Sequence, residues 1–257
     1  MGDIVNFSGK VAFVTGSSRG VGREVVMKLA SYGCDVVVHW CNSYDKATEV
    51  VSEIKELYDC DVMMVQGDVS CQDDVSRMVS EVIDHYGKID ILVNNAGICF
   101  DQEFLEKDVD TFRRVLDVNL VGPFLVSQAF APYLIDSHGV ILNVSSTNGI
   151  DTYYPMSMDY DASKAGLISL THNLASYFAP FVRVNAVALG WVDTDMNMDM
   201  DPVFRKCEES KIMLERFASV SEAASVIVFL VSDQASYINN SVIRVDGGVK
   251  GGDFYVS

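Results

Sequence analysis

The chain has 257 residues, of which 49% are hydrophobic and 21% charged. That is enough apolar material for a core, which excludes a disordered chain or a disulfide-held miniprotein. Nineteen Lys plus Arg against 36 Asp plus Glu leave a formal charge of −17, which argues against nucleic acid or an anionic membrane as partner, because both demand a basic surface. A small phosphate ligand stays compatible, since backbone amides and one or two local cations suffice to bind it.

The cysteines are Cys34, Cys41, Cys60, Cys71, Cys99 and Cys207. None forms a C-x-x-C pair, so they are expected to be reduced, mostly buried small residues of a cytoplasmic protein. The histidines His39, His85, His138 and His172 lack zinc-binding spacing, so no metal site is expected. Met1 to Gly9 has no basic segment followed by an apolar run, so it does not read as a signal peptide. The densest apolar runs, such as Val226–Val231, fall far short of the roughly 18 residues a membrane span needs.

In chain order, short Val- and Ile-rich runs alternate with amphipathic stretches of helix length. Strands are expected at Val11–Thr15, Asp35–Trp40, Val62–Gln66, Ile89–Val93, Val140–Val144, Val182–Val187 and Val242–Val245. Helices are expected at Gly20–Tyr32, Tyr44–Tyr58, Gln72–Tyr86, Val109–Ile135, Asp161–Phe178 and Ser221–Val231. This alternation implies a parallel, doubly wound sheet covered by helices on both faces. A ligand site then belongs at the carboxyl ends of the strands. Residues 190–218 break the rhythm, with a stretch rich in Asp and Met and then one or two short helices. An irregular insertion there reads as a substrate lid. Its Met196, Met198, Met200 and Met213 suit an adaptable apolar wall.

The first strand runs straight into Thr15-Gly16-Ser17-Ser18-Arg19-Gly20-Val21-Gly22, and a helix follows. Gly16 permits a tight turn, Gly20 lets backbone approach a pyrophosphate, and Gly22 allows close packing of the helix. The helix N-terminus supplies amides and a positive dipole end. The second strand ends in His39-Trp40-Cys41-Asn42-Ser43, with no acid to meet a ribose 2′-hydroxyl until Asp45. Arg19 is placed to meet a 2′-phosphate, so NADP(H) is favoured and NAD(H) is the alternative. Asn42 and Ser43 suit either.

Tyr160 and Lys164 stand four apart, on one face of a helix. An ammonium beside a phenol is expected to lower the phenol pKa from about 10 towards neutrality. That makes a proton donor or acceptor usable at physiological pH. Ser146, after the fifth strand, offers a hydroxyl to a substrate carbonyl; Ser145 is its neighbour and rival.

These segments resemble the short-chain dehydrogenase/reductase family over essentially the whole chain. Those that carry the resemblance are Thr15–Gly22, Asp68-Val69, Asn94-Asn95-Ala96-Gly97, Asn119, Ser146, Tyr160 with Lys164, Arg183-Val184-Asn185, Gly190–Met196 and Asp246-Gly247-Gly248. The resemblance implies a single-domain Rossmann fold of seven parallel strands over residues 1–257. It implies that Tyr160 is the general acid or base, that Lys164 holds the nicotinamide ribose and that Ser146 polarises the carbonyl. Asn119 would anchor a water that relays protons. Asp68 and Val69 would flank the adenine; Asn95, Ala96 and Gly97 would line the cofactor near its ribose. Ser18, Val21, Gly190, Val192 and Thr194 complete the implied cofactor contacts. Three departures stand out: the Ser146–Tyr160 interval is one residue longer than the common family spacing, Leu189 replaces a usual Pro, and Asn240 replaces a common Gly.

Within the family the chain most resembles 3-oxoacyl-carrier-protein reductases and the related sugar and polyol dehydrogenases. A carrier protein is acidic and needs a basic docking patch. The stretches where those reductases carry Arg or Lys read Tyr133-Leu134-Ile135-Asp136-Ser137-His138 and Asn173-Leu174-Ala175-Ser176-Tyr177 here. A small keto or hydroxy compound is therefore the expected substrate. The other class of function is a non-catalytic dinucleotide-binding scaffold, but Ser146, Tyr160 and Lys164 are all present. Apolar residues on more than one side of Val109–Ile135 and Asp161–Phe178 suggest a twofold mate. Relatives are commonly homotetramers, with Val249–Ser257 near a second interface.

Overall fold

The computed structural model describes residues 5–194 and 200–249. The lid residues Met196 and Met198, and all of the C-terminal segment beyond Val249, lie outside the described residues. Nine strands and eight α-helices are described: β1 (Val11–Val14), α1 (Gly20–Ser31), β2 (Asp35–Trp40), α2 (Tyr44–Leu57), β3 (Val62–Gln66), α3 (Gln72–Tyr86), β4 (Ile91–Asn94), α4 (Val109–Leu116), α5 (Gly122–Asp136), β5 (Val140–Ser146), α6 (Met158–Phe178), β6 (Arg183–Leu189), β7 (Val192–Asp193), α7 (Pro202–Lys211), β8 (Ala218–Ser219), α8 (Val220–Val231) and β9 (Val242–Val245). Seven strands form one parallel sheet in the order β3-β2-β1-β4-β5-β6-β9. The chain order reverses between β1 and β4, which opens a crevice at their carboxyl ends.

Alternate strand residues feed two apolar layers. On one face Ala12, Val14, Val36, Val38, Leu142 and Val144 pack with Leu29, Ile54 and Ile227 from α1, α2 and α8. On the other, Phe13, Val37, Leu92 and Ile141 pack with Met78, Phe130 and Phe178 from α3, α5 and α6. Phe13 and Phe130 meet with ring centroids 5.0 Å apart. Burial on both faces explains why these strands read as continuous apolar runs.

The expected helix Val109–Ile135 is not one α-helix. A π-turn over Asp117–Val121 divides it into α4 and α5. Pro123 has no N–H to offer the Asn119 carbonyl four residues back, and Gly122 N–H reaches back five residues to Asp117. By length and composition Val109–Asp136 is apolar enough to cross a membrane, yet Val115, Val118, Val126, Phe130 and Leu134 are buried within the domain.

Smaller differences have local causes. The helix expected from Asp161 begins at Met158, and β5 extends to Ser146 because it pairs with β6 as far as Leu189. Among the described residues the lid carries one helix, α7, whose N-terminus is capped by Asp201 accepting from Val203 and Phe204 N–H. β7 and β8 pair at its base. Asn240 adopts φ 58°, the left-handed region that suits the glycine common there. Among the described residues no cysteine is bridged, but only Cys34 is buried; Cys41, Cys60 and Cys99 are partly exposed and Cys71 and Cys207 exposed. The expectation of mostly buried thiols is thus corrected: most of them lie on loops or helix ends, not on core-facing strand positions.

Candidate active site

The glycine-rich turn connects β1 to α1, with Gly16 at φ 65° and Gly20 at φ 56°. A Cβ on Gly22 would lie 2.5 Å from Asn95 Nδ2 and 2.6 Å from the Gly16 carbonyl. Gly22 therefore serves close packing of the turn on itself and on Asn95. Asn95 Nδ2 donates to the carbonyls of Thr15 (2.9 Å) and Gly16 (3.3 Å), and Thr15 Oγ1 accepts from Asn95 and Ala96 N–H. The segments after β1 and β4 are thus bonded into one floor.

Beside this floor lies a cleft of about 590 Å³, lined among others by Ser18, Arg19, Gly20, Lys46, Thr194 and Arg205. The N-terminus of α1 opens on it with no side-chain cap and no acid in its first turn, whereas α4, α7 and α8 are capped by Asp108, Asp201 and Ser219. Uncapped amides and left-handed glycines fit a dinucleotide pyrophosphate. Arg19 is exposed, and among the described residues it has no ion pair. Arg23 is tied to Glu53 and Arg205 to Asp193 and Glu209. Val21 is partly buried on α1, and Asn42 is exposed just beyond β2. Asp68 bonds Ser70 and, at 2.7 Å, Arg114, while Val69 is buried. Gly190 N–H donates to the Val245 carbonyl, Val192 is buried in β7, and Thr194 lies against Gly20.

The proposed reacting groups converge at the carboxyl edge of β5. Ser145 Oγ donates to the Lys164 carbonyl and is committed to holding α6. Ser146 Oγ donates to Asn148 Oδ1 and accepts from Asn148 N–H, and it lies close enough to the Tyr160 phenol to pull its pKa down. The longer Ser146–Tyr160 interval is accommodated by two short 3-10 turns, Thr147–Gly149 and Pro155–Ser157. Lys164 Nζ lies 5.4 Å from the Tyr160 ring centroid and donates to the Val144 carbonyl at 2.8 Å. A methyl on Gly97 would stand 3.4 Å from both Lys164 Nζ and Asn119 Oδ1. Asn119, in the π-turn, accepts from Ile98 N–H and donates to the Ile98 carbonyl and Ser163 Oγ.

The expected lowering of the tyrosine pKa is absent. Burial and the neighbouring Cys99 push Tyr160 up to about 12, against the opposing pull of the nearby Ser146 hydroxyl. Burial holds Lys164 down at about 8. The reason is geometric: the ammonium bonds the Val144 carbonyl rather than the phenol oxygen, and both groups are withdrawn from water.

Of the other residues near the site, Cys99, Lys107 and Asp159 carried no sequence motif. Cys99 bears electrostatically on both Tyr160 and Lys164. Lys107 and Asp159 form a fully buried ion pair at 2.9 Å; Lys107 also donates to the Phe100 carbonyl, and Asp159 accepts from Tyr160 N–H. Asn94 bridges Ser127 and Asn143, which reaches Thr171, making a polar ladder through the sheet. In Arg183-Val184-Asn185, Arg183 and Asn185 bond the backbone before β9, with Arg183 donating to the Leu230, Ser232 and Ile238 carbonyls. At the lid, Trp191 stacks on Phe217 at 5.2 Å, and Phe204 meets Trp191 and Tyr154. Tyr153 is 78% exposed, whereas its neighbour Tyr154 packs against the lid through Phe204.

Residues 16–250 match a family model described as enoyl-(acyl carrier protein) reductase. The 3-oxoacyl-[acyl-carrier-protein] reductase FabG of Aquifex aeolicus is 39% identical over 247 residues, covering 95% of this chain and 99% of the relative. A dehydrogenase/reductase from Sinorhizobium meliloti superposes with a TM-score of 0.91 at 30% identity, covering 96% of this chain and 97% of that one. A short-chain dehydrogenase/reductase from Serratia marcescens gives 0.90 at 33% identity, covering 95% and 99%. A family model matching most of the chain and relatives above 30% identity over nearly its whole length place the chain in the short-chain dehydrogenase/reductase family.

Proposed function

We propose that the protein is an NADP(H)-dependent oxidoreductase that interconverts a ketone and a secondary alcohol. The observation that carries this reading is the grouping of the Ser146 hydroxyl, the Tyr160 phenol and the Lys164 ammonium at the carboxyl end of β5, with Lys164 Nζ 5.4 Å from the Tyr160 ring centroid and bonded to the Val144 carbonyl. Two hydroxyls converging on one point suit a carbonyl oxygen, which gains negative charge as it is reduced. The nicotinamide, when bound, supplies the hydride. Ser146 orients and polarises the carbonyl, and Tyr160 gives its phenolic proton to the developing alkoxide. A phenol near 12 is protonated at neutral pH, which fits the reduction direction. Lys164 near 8 passes between charged and neutral forms close to physiological pH, so it can return a proton to Tyr160. Asn119 holds the water of that return path.

Arg19, exposed at the cleft and without an ion pair among the described residues, supports the NADP(H) preference over NAD(H). Gly16, Ser18, Gly20, Val21, Gly22, Asn42, Asp68, Val69, Asn95, Ala96, Gly97, Gly190, Val192 and Thr194 bind the cofactor with Tyr160 and Lys164. Residues 1–257 act as one catalytic domain, with 190–218 as substrate lid. The acidic balance and the cation-free stretches 133–138 and 173–177 favour a small keto or hydroxy compound over an acyl carrier protein. The exposed Val121, Phe124 and Tyr177 on the helices of the second face favour a homotetramer. Unbridged thiols suit a cytoplasmic setting.

The test is NADPH oxidation followed at 340 nm against ketones, keto sugars, a 3-oxoacyl thioester in free and carrier-bound form, and an enoyl thioester. We expect turnover of a ketone, abolished in Tyr160→Phe with NADPH affinity retained. Turnover of the enoyl thioester alone, or full activity of Tyr160→Phe, overturns the assignment. Sedimentation of a monomer at micromolar concentration overturns the tetramer.

A further inference from the structure

His39 is a buried imidazole at the carboxyl end of β2 that the reaction does not use. Gly16 N–H donates to its Nδ1 at 2.8 Å. Nδ1 therefore carries a lone pair, and the proton sits on Nε2, which donates to the Gly67 carbonyl at 3.1 Å. The backbone adds a second clasp: His39 N–H donates to Ser17 Oγ at 2.9 Å, and Ser17 N–H donates to the His39 carbonyl at 3.0 Å. Gly67 is itself fixed by donating to the Trp40 carbonyl at 3.0 Å. One ring thus bridges the glycine-rich turn and the segment that enters Asp68-Val69, with Phe13 behind it at 5.8 Å between ring centroids.

We propose that His39 is a positioning residue for the cofactor, whose neutral Nε2–H imidazole sets the separation between the glycine-rich turn and the Gly67–Val69 segment, the two walls of the adenosine half of the site. The inference rests on the dinucleotide reading of the cleft. Its logic is one of matched donors and acceptors. The Gly16 N–H, on a left-handed glycine of the turn, takes the ring nitrogen as its acceptor, and the Gly67 carbonyl just past β3 faces the other ring nitrogen. An imidazole spans both, because its two nitrogens differ in role and point apart. No aliphatic side chain satisfies either group, and Asn reaches only the nearer one. Burial holds the ring neutral, its pKa lowered to about 4 although Asp68 and Asp74 favour the cation. A second proton on Nδ1 would face the Gly16 N–H and break the clasp.

The test combines a wild-type measurement with two variants. In the wild-type protein, long-range 15N–1H correlation of the imidazole should show the Nε2–H tautomer, with the Nδ1 resonance moving when NADPH is added. An Nδ1–H tautomer overturns the proposal without any variant. His39→Leu should raise the NADPH Kd by about tenfold, since a buried unpaired N–H costs on the order of one such factor or more. His39→Asn, which keeps an acceptor near Gly16 N–H, should stay within about threefold and should raise the KM for NADPH while leaving kcat unchanged. If His39→Leu folds and binds NADPH as wild type does, or if His39→Asn loses kcat with KM unchanged, His39 does not position the cofactor. Failure of wild-type protein to bind NADPH or NADH at all would instead refute the dinucleotide reading itself.

Discussion

Lys164 should lower the stability of the protein that depends on it. Its ammonium is withdrawn from water, and burial moves it from 10.5 to about 8. At about 1.4 kcal/mol per tenfold, that gap corresponds to roughly 3 kcal/mol of unfavourable free energy for the charged form in the folded state. The sign follows from proton counts. Between pH 8 and 10.5 the unfolded chain holds the Lys164 proton and the folded protein has lost it, so stability rises with pH across that window. Below pH 8 both states are protonated and the full penalty is present. Lys164→Met fills a similar volume without a charge. Against wild type it should therefore be more stable at pH 7 by up to roughly 3 kcal/mol, less the bond to the Val144 carbonyl, and this advantage should shrink by about the same amount by pH 10.5. The assay is urea unfolding of both cofactor-free proteins at pH 7, 8.5 and 10, compared as a difference so that other titrating groups cancel. A stability difference that does not change with pH would refute the argument. Turnover should be lost in the variant at every pH.

The remaining predictions touch the cofactor cleft and the tyrosine helix. Arg19→Ala should weaken NADPH binding about tenfold and leave NADH binding unchanged, because an exposed cation contributes only through a phosphate it can reach; fluorescence titration of both cofactors decides it. Gly22→Ala puts a methyl within 2.6 Å of the Gly16 carbonyl, and should cost about 1–3 kcal/mol in urea melts together with a loss of NADPH affinity. Lys107→Met leaves the Asp159 carboxylate buried and unpaired and should destabilise the fold by about 3–5 kcal/mol, most of which is recovered when Asp159→Asn is added. Equal stability of the single and double variants would show that the two charges are not coupled.

How far the chain discloses these features depends on whether the cause is local. The strands were legible because both of their faces are buried, so Val36-Val37-Val38 is apolar without a break. The glycine turn was legible because left-handed backbone and close approach leave few residue choices at Gly16, Gly20 and Gly22. Tyr160 and Lys164 were legible as a pair because four residues along a helix always share a face. The direction of the Lys164 ammonium was not, because its acceptor is the Val144 carbonyl, twenty residues away on another element. The π-turn had a local cause in Gly122-Pro123, but its apolar surroundings continue the helical period on either side and mask the break. His39 had no pattern at all; its meaning lies in Gly16 and Gly67, which only the fold brings together.

These groups share a physical character. The Lys164 ammonium, the Lys107–Asp159 pair and the His39 imidazole are all polar groups taken out of water at the carboxyl edge of the sheet. Each is a cost to the fold unless every donor and acceptor around it is met. Where the matching is complete, as at His39, burial fixes geometry. Where it is incomplete, as at Lys164, burial leaves a group that gains by losing its proton, which is the property a proton relay needs. The apolar layers beneath, from Phe13 to Phe130, must therefore supply the stability that the edge does not. On this view stabilising substitutions should be sought in those layers, and any that neutralises Lys164 should stabilise the protein only by removing its chemistry.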